Sequence, residues 1–241
     1  MATIQRRFKK NVFEETKMKI KCSAVVLDLW DTVFFHGLNE HPMIQSKQLL
    51  VKAGANPSDV FQAMHRTLML TDFGENKIDF NELCSVLGIA HTPKLEKDLI
   101  KIWEQGAEET KFFEDVIPTL SKLKKKFKLG LVSNTTSYKM HYLVEKFELG
   151  KLFDAMLFSF DAGVAKPDKK AFELVAQKLK ISPQNCVFVG DQLAQDIFGS
   201  SAAGMKPILI DRGKKYNEKP KEAVALIHDL RELLDLLEKG D

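Results

Sequence analysis

The sequence predicts an α/β fold, a doubly wound parallel sheet with an inserted α-helical domain, on three observations. Short apolar runs bounded by turn residues recur at 24–29, 129–133, 155–160, 186–190 and 207–210, the pattern of strands buried on both faces. Helical patterns at 116–127, 137–147, 169–179 and 193–203 separate the later runs, and strand alternating with helix implies right-handed crossovers and a parallel sheet. Residues 34–110 break this alternation with helical segments at 42–53, 57–70, 79–87 and from 93 to about 110, and no convincing strand.

Each element has a local reason. Pro42, Pro57 and Pro93 open helices in the insert, where the missing N–H of a first turn costs nothing. A last helix is expected over 222–237, because Ala225, Leu226, Leu230, Leu233, Leu234 and Leu237 share one face that should cover the sheet. The expected organisation is an N-terminal extension at 1–20, an α/β core built from 21–33 and 111–241, and the helical insert at 34–110 between its halves.

Composition narrows the functional classes. A chain of 241 residues with 44% hydrophobic and 29% charged residues can bury a substantial core, which excludes disordered and collagen-like classes. No apolar run approaches the ~20 residues that span a bilayer, and the start lacks a signal-peptide core, so a cytoplasmic location without membrane contact is expected. Cys22, Cys84 and Cys186 are far apart and form no Cys-x-x-Cys pair, so neither a disulfide nor a zinc site is expected. The net charge of +3 is too small to argue for nucleic acid, and the lysine run at 122–128 reads as a solvated helix end. Oligomeric state is not legible.

Ligands on doubly wound sheets bind outside the carboxyl ends of the strands. Asp28 ends the first apolar run, Ser133-Asn134 the second and Gly190-Asp191 the fourth, while Lys166-Pro167-Asp168 lies in a loop before a helix. A carboxylate at a strand end can attack phosphorus or carbon and split one hard displacement into two. It can also merely cap the next turn. Lys166 can neutralise a transferring anion, and Ser133 with Asn134 can donate hydrogen bonds to a substrate oxyanion, although Ser-Asn is common turn chemistry as well. Clustered carboxylates at Asp191 and Asp196 suit a hard, oxygen-seeking ion, and Gly190 lets the backbone come close.

In this order, the four motifs resemble those of the haloacid dehalogenase (HAD) hydrolases. The resemblance implies a Rossmann-type core with a helical cap inserted after the first motif. It implies Asp28 as nucleophile with Thr32 at the family's spacing, Ser133 and Lys166 as electrostatic stabilisers, and Mg2+ as cofactor. It also implies that Asp28, Asp191, Asp196 and the backbone carbonyl of Trp30 hold the ion, and that Trp30 and Asn134 meet the substrate.

Trp30 departs from the pattern, because the family's phosphatases carry Asp-x-Asp-x-Thr and the second Asp is the general acid and base. An indole is neither at neutral pH. The family's 2-haloacid dehalogenases accept an aromatic there, because a halide leaves without a proton. They also resemble one another in a Tyr six residues after the Lys, where this chain has Phe172, and in a Ser-Ser-x-x-x-Asp fourth motif in place of Gly190-Asp191. The expected function is a magnesium-dependent phosphatase acting on a small phosphorylated metabolite. A metal-free dehalogenase and a phosphate-binding regulatory protein are the alternatives. His36, just beyond the first motif, is the histidine placed to replace the missing acid, and an ordinary helix-flanking His is the competing reading. His65 and Arg66 on the insert are candidates for contact with a substrate anion.

Overall fold

A computed structural model describes residues 19–74 and 77–240. Most of the N-terminal extension therefore lies outside the described residues. The chain runs β1 (Ile20–Cys22), β2 (Ala24–Asp28), β3 (Phe34–His36), α1 (Pro42–Lys52), α2 (Val60–Leu68), α3 (Asn81–Val86), α4 (Pro93–Glu108) and β4 (Thr110–Phe112). It continues through α5 (Val116–Leu123), β5 (Lys128–Ser133), α6 (Met140–Lys146), α7 (Leu149–Leu152), β6 (Ala155–Phe158), α8 (Ser159–Ala162), α9 (Lys169–Leu179) and β7 (Cys186–Gly190). A π-helical turn (Leu193–Phe198), α10 (Gly199–Ala202), β8 (Lys206–Ile210), β9 (Ala225–Ile227), α11 (Leu233–Leu236) and β10 (Leu237–Lys239) complete it.

The main sheet has six parallel strands in the order β6-β5-β2-β7-β8-β9. β2 is central, and the chain winds away from it in both directions, so the crevice at its carboxyl end is the switch point of the fold. Strand alternation builds two cores. Val25, Leu27, Leu131 and Val189 enter one with Leu120 and Leu143 of α5 and α6, while Ala24, Val26 and Phe188 enter the other with Phe172 and Val175 of α9. A third core belongs to the insert, where Leu50, Val60, Met64, Leu68, Leu83 and Leu99 of α1 to α4 meet.

Three expectations need correction. The insert is bounded by strands, since β3 and β4 pair antiparallel, with Phe34 opposite Phe112 and His36 opposite Thr110. The apolar run at 155–160 leaves the sheet at Phe158, and Ser159 begins a helical turn. The single helix expected at 222–237 does not form. β9 pairs parallel with β8, Ile208 opposite Ala225, and Asp229 then caps a new turn with Glu232 in a capping box. Pairing with β8 gives the backbone of Ala225–Ile227 its partners and covers what would otherwise be a free sheet edge. Among the described residues, no helix is long and apolar enough to cross a membrane.

Candidate active site

The sheet register brings the motif residues together. Asp28 pairs with Val132 and Leu27 with Val189, so Ser133 at the end of β5 and Asp191 just past β7 lie on either side of Asp28. After β2 the chain turns sharply. Val33 and Phe34 both donate N–H to the Leu29 carbonyl, and Asp31 takes a positive φ of 59° and donates to the Phe34 carbonyl at 2.7 Å. The turn buries Thr32 completely, with no partner for its Oγ1.

Lys166 reaches into this crevice and donates through Nζ to Asp28 Oδ1 and, at 2.6 Å, to Asp196 Oδ1. Asn134 fixes the loop that carries it. Its Oδ1 accepts from the Lys166 N–H at 2.8 Å, and its Nδ2 donates to the Lys166 carbonyl at 2.8 Å and to Gln195 at 2.9 Å and lies 3.1 Å from His65 Nε2. Asn134, a candidate substrate contact, also clamps the lysine. Asp196 also accepts from the Gln192 N–H at 2.9 Å. Any Cβ on Gly190 would run into the Asp196 carboxylate, so only glycine admits this approach.

Charge within the cluster is unbalanced. Asp28, Asp191 and Asp196 each offer an oxygen within 4.8 Å of the others, against one ammonium. Burial, followed by the nearby Asp196, pushes Asp28 up to about 7 despite Lys166. Burial and then Asp28 and Asp196 push Asp191 up to about 8. Burial works to lower Lys166, but Asp196 and Asp28 outweigh it and hold the ammonium charged. Asp191 Oδ1 and Ser133 Oγ are buried and make no hydrogen bond among the described residues. Three crowded carboxylates with an unpaired oxygen fit a hard divalent cation.

Trp30 points away from proton chemistry. Its Nε1–H donates to Thr135 Oγ1 at 3.3 Å, and its ring stacks on His36 with centroids 4.5 Å apart. His36 Nδ1 lies 3.0 Å from the Gly106 carbonyl, which places its proton on Nδ1. Burial and then His41 push His36 down to about 4, so the ring is neutral at pH 7. Of the two expected contacts from the insert, His65 reaches the site through Asn134, whereas Arg66 is exposed on α2.

The residues unforeseen from sequence stand behind the turn. Arg212 forms a two-armed pair with the buried Asp115 at 3.0 and 3.1 Å and donates to the Thr32 carbonyl at 2.7 Å, lying 3.7 Å over the Phe113 ring. Asp115 further accepts from the Leu230 N–H at 2.6 Å. Nothing in sequence joins residues 97 apart, and neither motif nor periodicity marks them.

The model of a family described as haloacid dehalogenase-like hydrolase matches residues 22–204. A glyceraldehyde 3-phosphate phosphatase of Methanopyrus kandleri is 30% identical over 228 residues, which cover 89% of this chain and 96% of that one. Two solved structures superpose over nine-tenths of the chain. A HAD phosphatase from Thermococcus onnurineus has a TM-score of 0.60 at 22% identity, covering 91% of this chain and 99% of that one. A 2-haloacid dehalogenase from Pseudomonas syringae pv. Tomato has a TM-score of 0.61, also at 22% identity, covering 90% and 98%. This α/β protein, with its carboxylates and lysine gathered at the switch point of a parallel sheet, belongs to the haloacid dehalogenase-like hydrolases and is a hydrolase. Resemblance of fold at this identity extends to phosphatases and dehalogenases alike, so the choice between them rests on the site.

Proposed function

We propose that the protein is a magnesium-dependent phosphatase that acts on a small phosphorylated molecule through a covalent intermediate on Asp28. The observation that carries this reading is the cluster of Asp28, Asp191 and Asp196 around one ammonium, with the Asp191 oxygen unpaired. A dehalogenase that works without metal has no use for three crowded carboxylates. The name of the Methanopyrus relative supports a phosphate ester as substrate.

Asp28, Asp191 and the Trp30 carbonyl would hold Mg2+, and Asp196, already committed through both oxygens to Lys166 and the Gln192 N–H, would orient it. The ion supplies countercharge for the phosphoryl oxygens. Asp28 attacks phosphorus, and the alcohol leaves. Thr32 Oγ1 and Ser133 Oγ, both buried without partners, are free to hydrogen-bond the phosphoryl group, and Lys166 neutralises it. Asn134 holds Lys166 in place. Water then releases phosphate from Asp28. Residues 34–110 act as a cap over the crevice, tied down where the Phe73 N–H donates to Ser137 Oγ at 2.9 Å and Ser159 Oγ donates to the Met69 carbonyl at 2.6 Å.

Phosphate esters, acyl phosphates and 2-haloacids, each assayed with magnesium or chelator, test the reading. Phosphate release that needs magnesium is expected. Trp30 favours the dehalogenase as second reading, and halide release in chelator would select it. Binding without turnover would select a regulatory protein.

A further inference from the structure

Beside the motif residues, between the insert and the carboxyl end of the sheet, lies a cavity of about 160 Å³. Its floor carries Trp30, Asn134 and Gln192, the chain neighbours of the catalytic cluster. Trp103, Tyr138, Met43, Met69 and Met140 give it an aromatic and thioether lining, interrupted by Thr135, Thr136 and Gln195. His36, His41 and His65 also face it; among the described residues neither Lys nor Arg does, and Asp31 is its one charged lining residue. The indole N–H of Trp103 is buried and finds no acceptor among the described residues.

We propose that this cavity receives the leaving alcohol of the phosphate ester, and that it selects an uncharged single aromatic ring over a short polar or carboxylate-bearing group. The inference rests on the phosphatase reading for the reaction, and on the cavity alone for the choice of ring. Size is the first reason. A dry apolar cavity of about 150 Å³ holds benzene, so one ring fits and two do not. Charge is the second. A substrate carboxylate placed here would lose its hydration and gain no cation, with Asp31 repelling it. Chemistry of the lining is the third. Stacked aromatic and thioether groups suit a flat ring, and the unpaired Trp103 N–H favours a ring with one acceptor substituent.

The reaction balances without a further reagent. Asp28 forms a bond to phosphorus as the ester P–O bond breaks, the departing alkoxide takes its proton from solvent water, and the water that later cleaves the aspartyl phosphate gives a proton back, so ester and water become alcohol and phosphate and the carboxylate is restored. The cavity adds no step. It fixes which alcohol sits behind that bond.

The chain has two tryptophans, and both line the cavity, so intrinsic fluorescence reads its occupancy without turnover. Benzyl alcohol, benzoate and glycolate would be titrated into the native protein with and without magnesium. Benzyl alcohol should change the emission saturably, at a Kd at least about tenfold below that of benzoate, and glycolate should leave it unchanged. Benzoate or glycolate binding as tightly as benzyl alcohol would overturn the proposal. In folded Met43→Lys protein the added ammonium should restore benzoate binding, and no gain there would count against the charge argument.

Turnover separates the two readings. Benzyl phosphate, glyceraldehyde 3-phosphate and phosphoglycolate are all alkyl esters, so leaving ability does not bias the comparison as an aryl ester would. Magnesium-dependent kcat/KM should be at least about tenfold higher for benzyl phosphate. Equal or better hydrolysis of phosphoglycolate would overturn the cavity proposal and leave the phosphatase reading standing. Saturable benzyl alcohol binding with no phosphate release from these esters or from an aryl phosphate would do the reverse.

Discussion

The indole of Trp30 lies nearly parallel to the imidazole of His36, 16° between planes, and donates its N–H to Thr135. Trp30, which the first-motif resemblance sets where the family's phosphatases carry an acid and base, is thus committed to packing. Attack by Asp28 on an aryl phosphate needs little protonation of the leaving group, whereas release of phosphate from Asp28 still needs an activated water. An aryl phosphate should therefore give a burst stoichiometric with protein and then slow turnover. Trp30→Asp should speed the slow phase by up to about a hundred- to ten-thousand-fold, the usual worth of general acid and base help. Rapid-quench kinetics reads both phases, and unchanged phases in folded Trp30→Asp protein would mean another group already handles the proton.

Removing the ammonium tests the electrostatics of the cluster. Lys166→Met leaves Asp28 and Asp196 buried without their shared partner, and breaking such a pair typically costs about 3–5 kcal/mol. Chemical denaturation should show a loss of that order, partly recovered by magnesium. A loss below about 1 kcal/mol would place the carboxylates in water, contrary to their burial.

Stability should also depend on pH in a definite direction. Asp28 and Asp191 have folded-state pKa values raised to about 7 and about 8, above the ordinary carboxylate value, so the folded state binds more protons than the unfolded one. Their contribution is full at low pH and is lost as pH rises through the raised values, so the Tm of metal-free protein should fall between about pH 5 and about pH 8. Magnesium should oppose the fall, adding about 2.7 kcal/mol at a hundredfold excess over its Kd, and Asp191→Ala should weaken that gain. Calorimetry with chelator and with magnesium checks both, and a Tm that rises over this range without metal would contradict the assigned shifts.

Arg212 carries a prediction that sequence alone could not make. Its guanidinium joins Asp115 to the Thr32 carbonyl and so supports the turn after Asp28 from behind. Arg212→Met should lower kcat while leaving KM for an aryl phosphate nearly unchanged, because the turn loses its brace and no substrate contact is removed. Steady-state kinetics at saturating magnesium separates the two, and a change confined to KM would refute the assignment.

The parts of the fold that were legible are those whose order is local. β2, β5 and β7 are short apolar runs with two buried faces, and Asp28, Ser133 and Asp191 could be placed at their ends because parallel sheets bind ligands there. The stretch after Pro220 was not legible. The spacing of Ala225, Leu226, Leu230 and Leu233 suits one helix, yet it also suits a strand that closes the sheet edge followed by a separate turn. The Asp229 to Glu232 capping box was a visible sign of a second start. Asn134 illustrates a different limit, since its residue type indicated hydrogen bonding but only the fold shows that its partner is the Lys166 backbone. The Arg212 and Asp115 pair and the cavity between Trp30 and Trp103 arise from long-range packing and leave no local pattern.

The central claim is a covalent phosphoryl group on Asp28, and trapping it is the most direct test. Native protein mixed with an aryl phosphate and magnesium would be quenched in acid during the slow phase, reduced with borohydride and mapped by peptide mass spectrometry. Reduction turns an aspartyl phosphate into homoserine, so homoserine should appear at position 28, to an extent that matches the burst, and be absent without substrate or in Asp28→Asn protein. A burst with position 28 unmodified, or with the modification on another residue, would contradict the account.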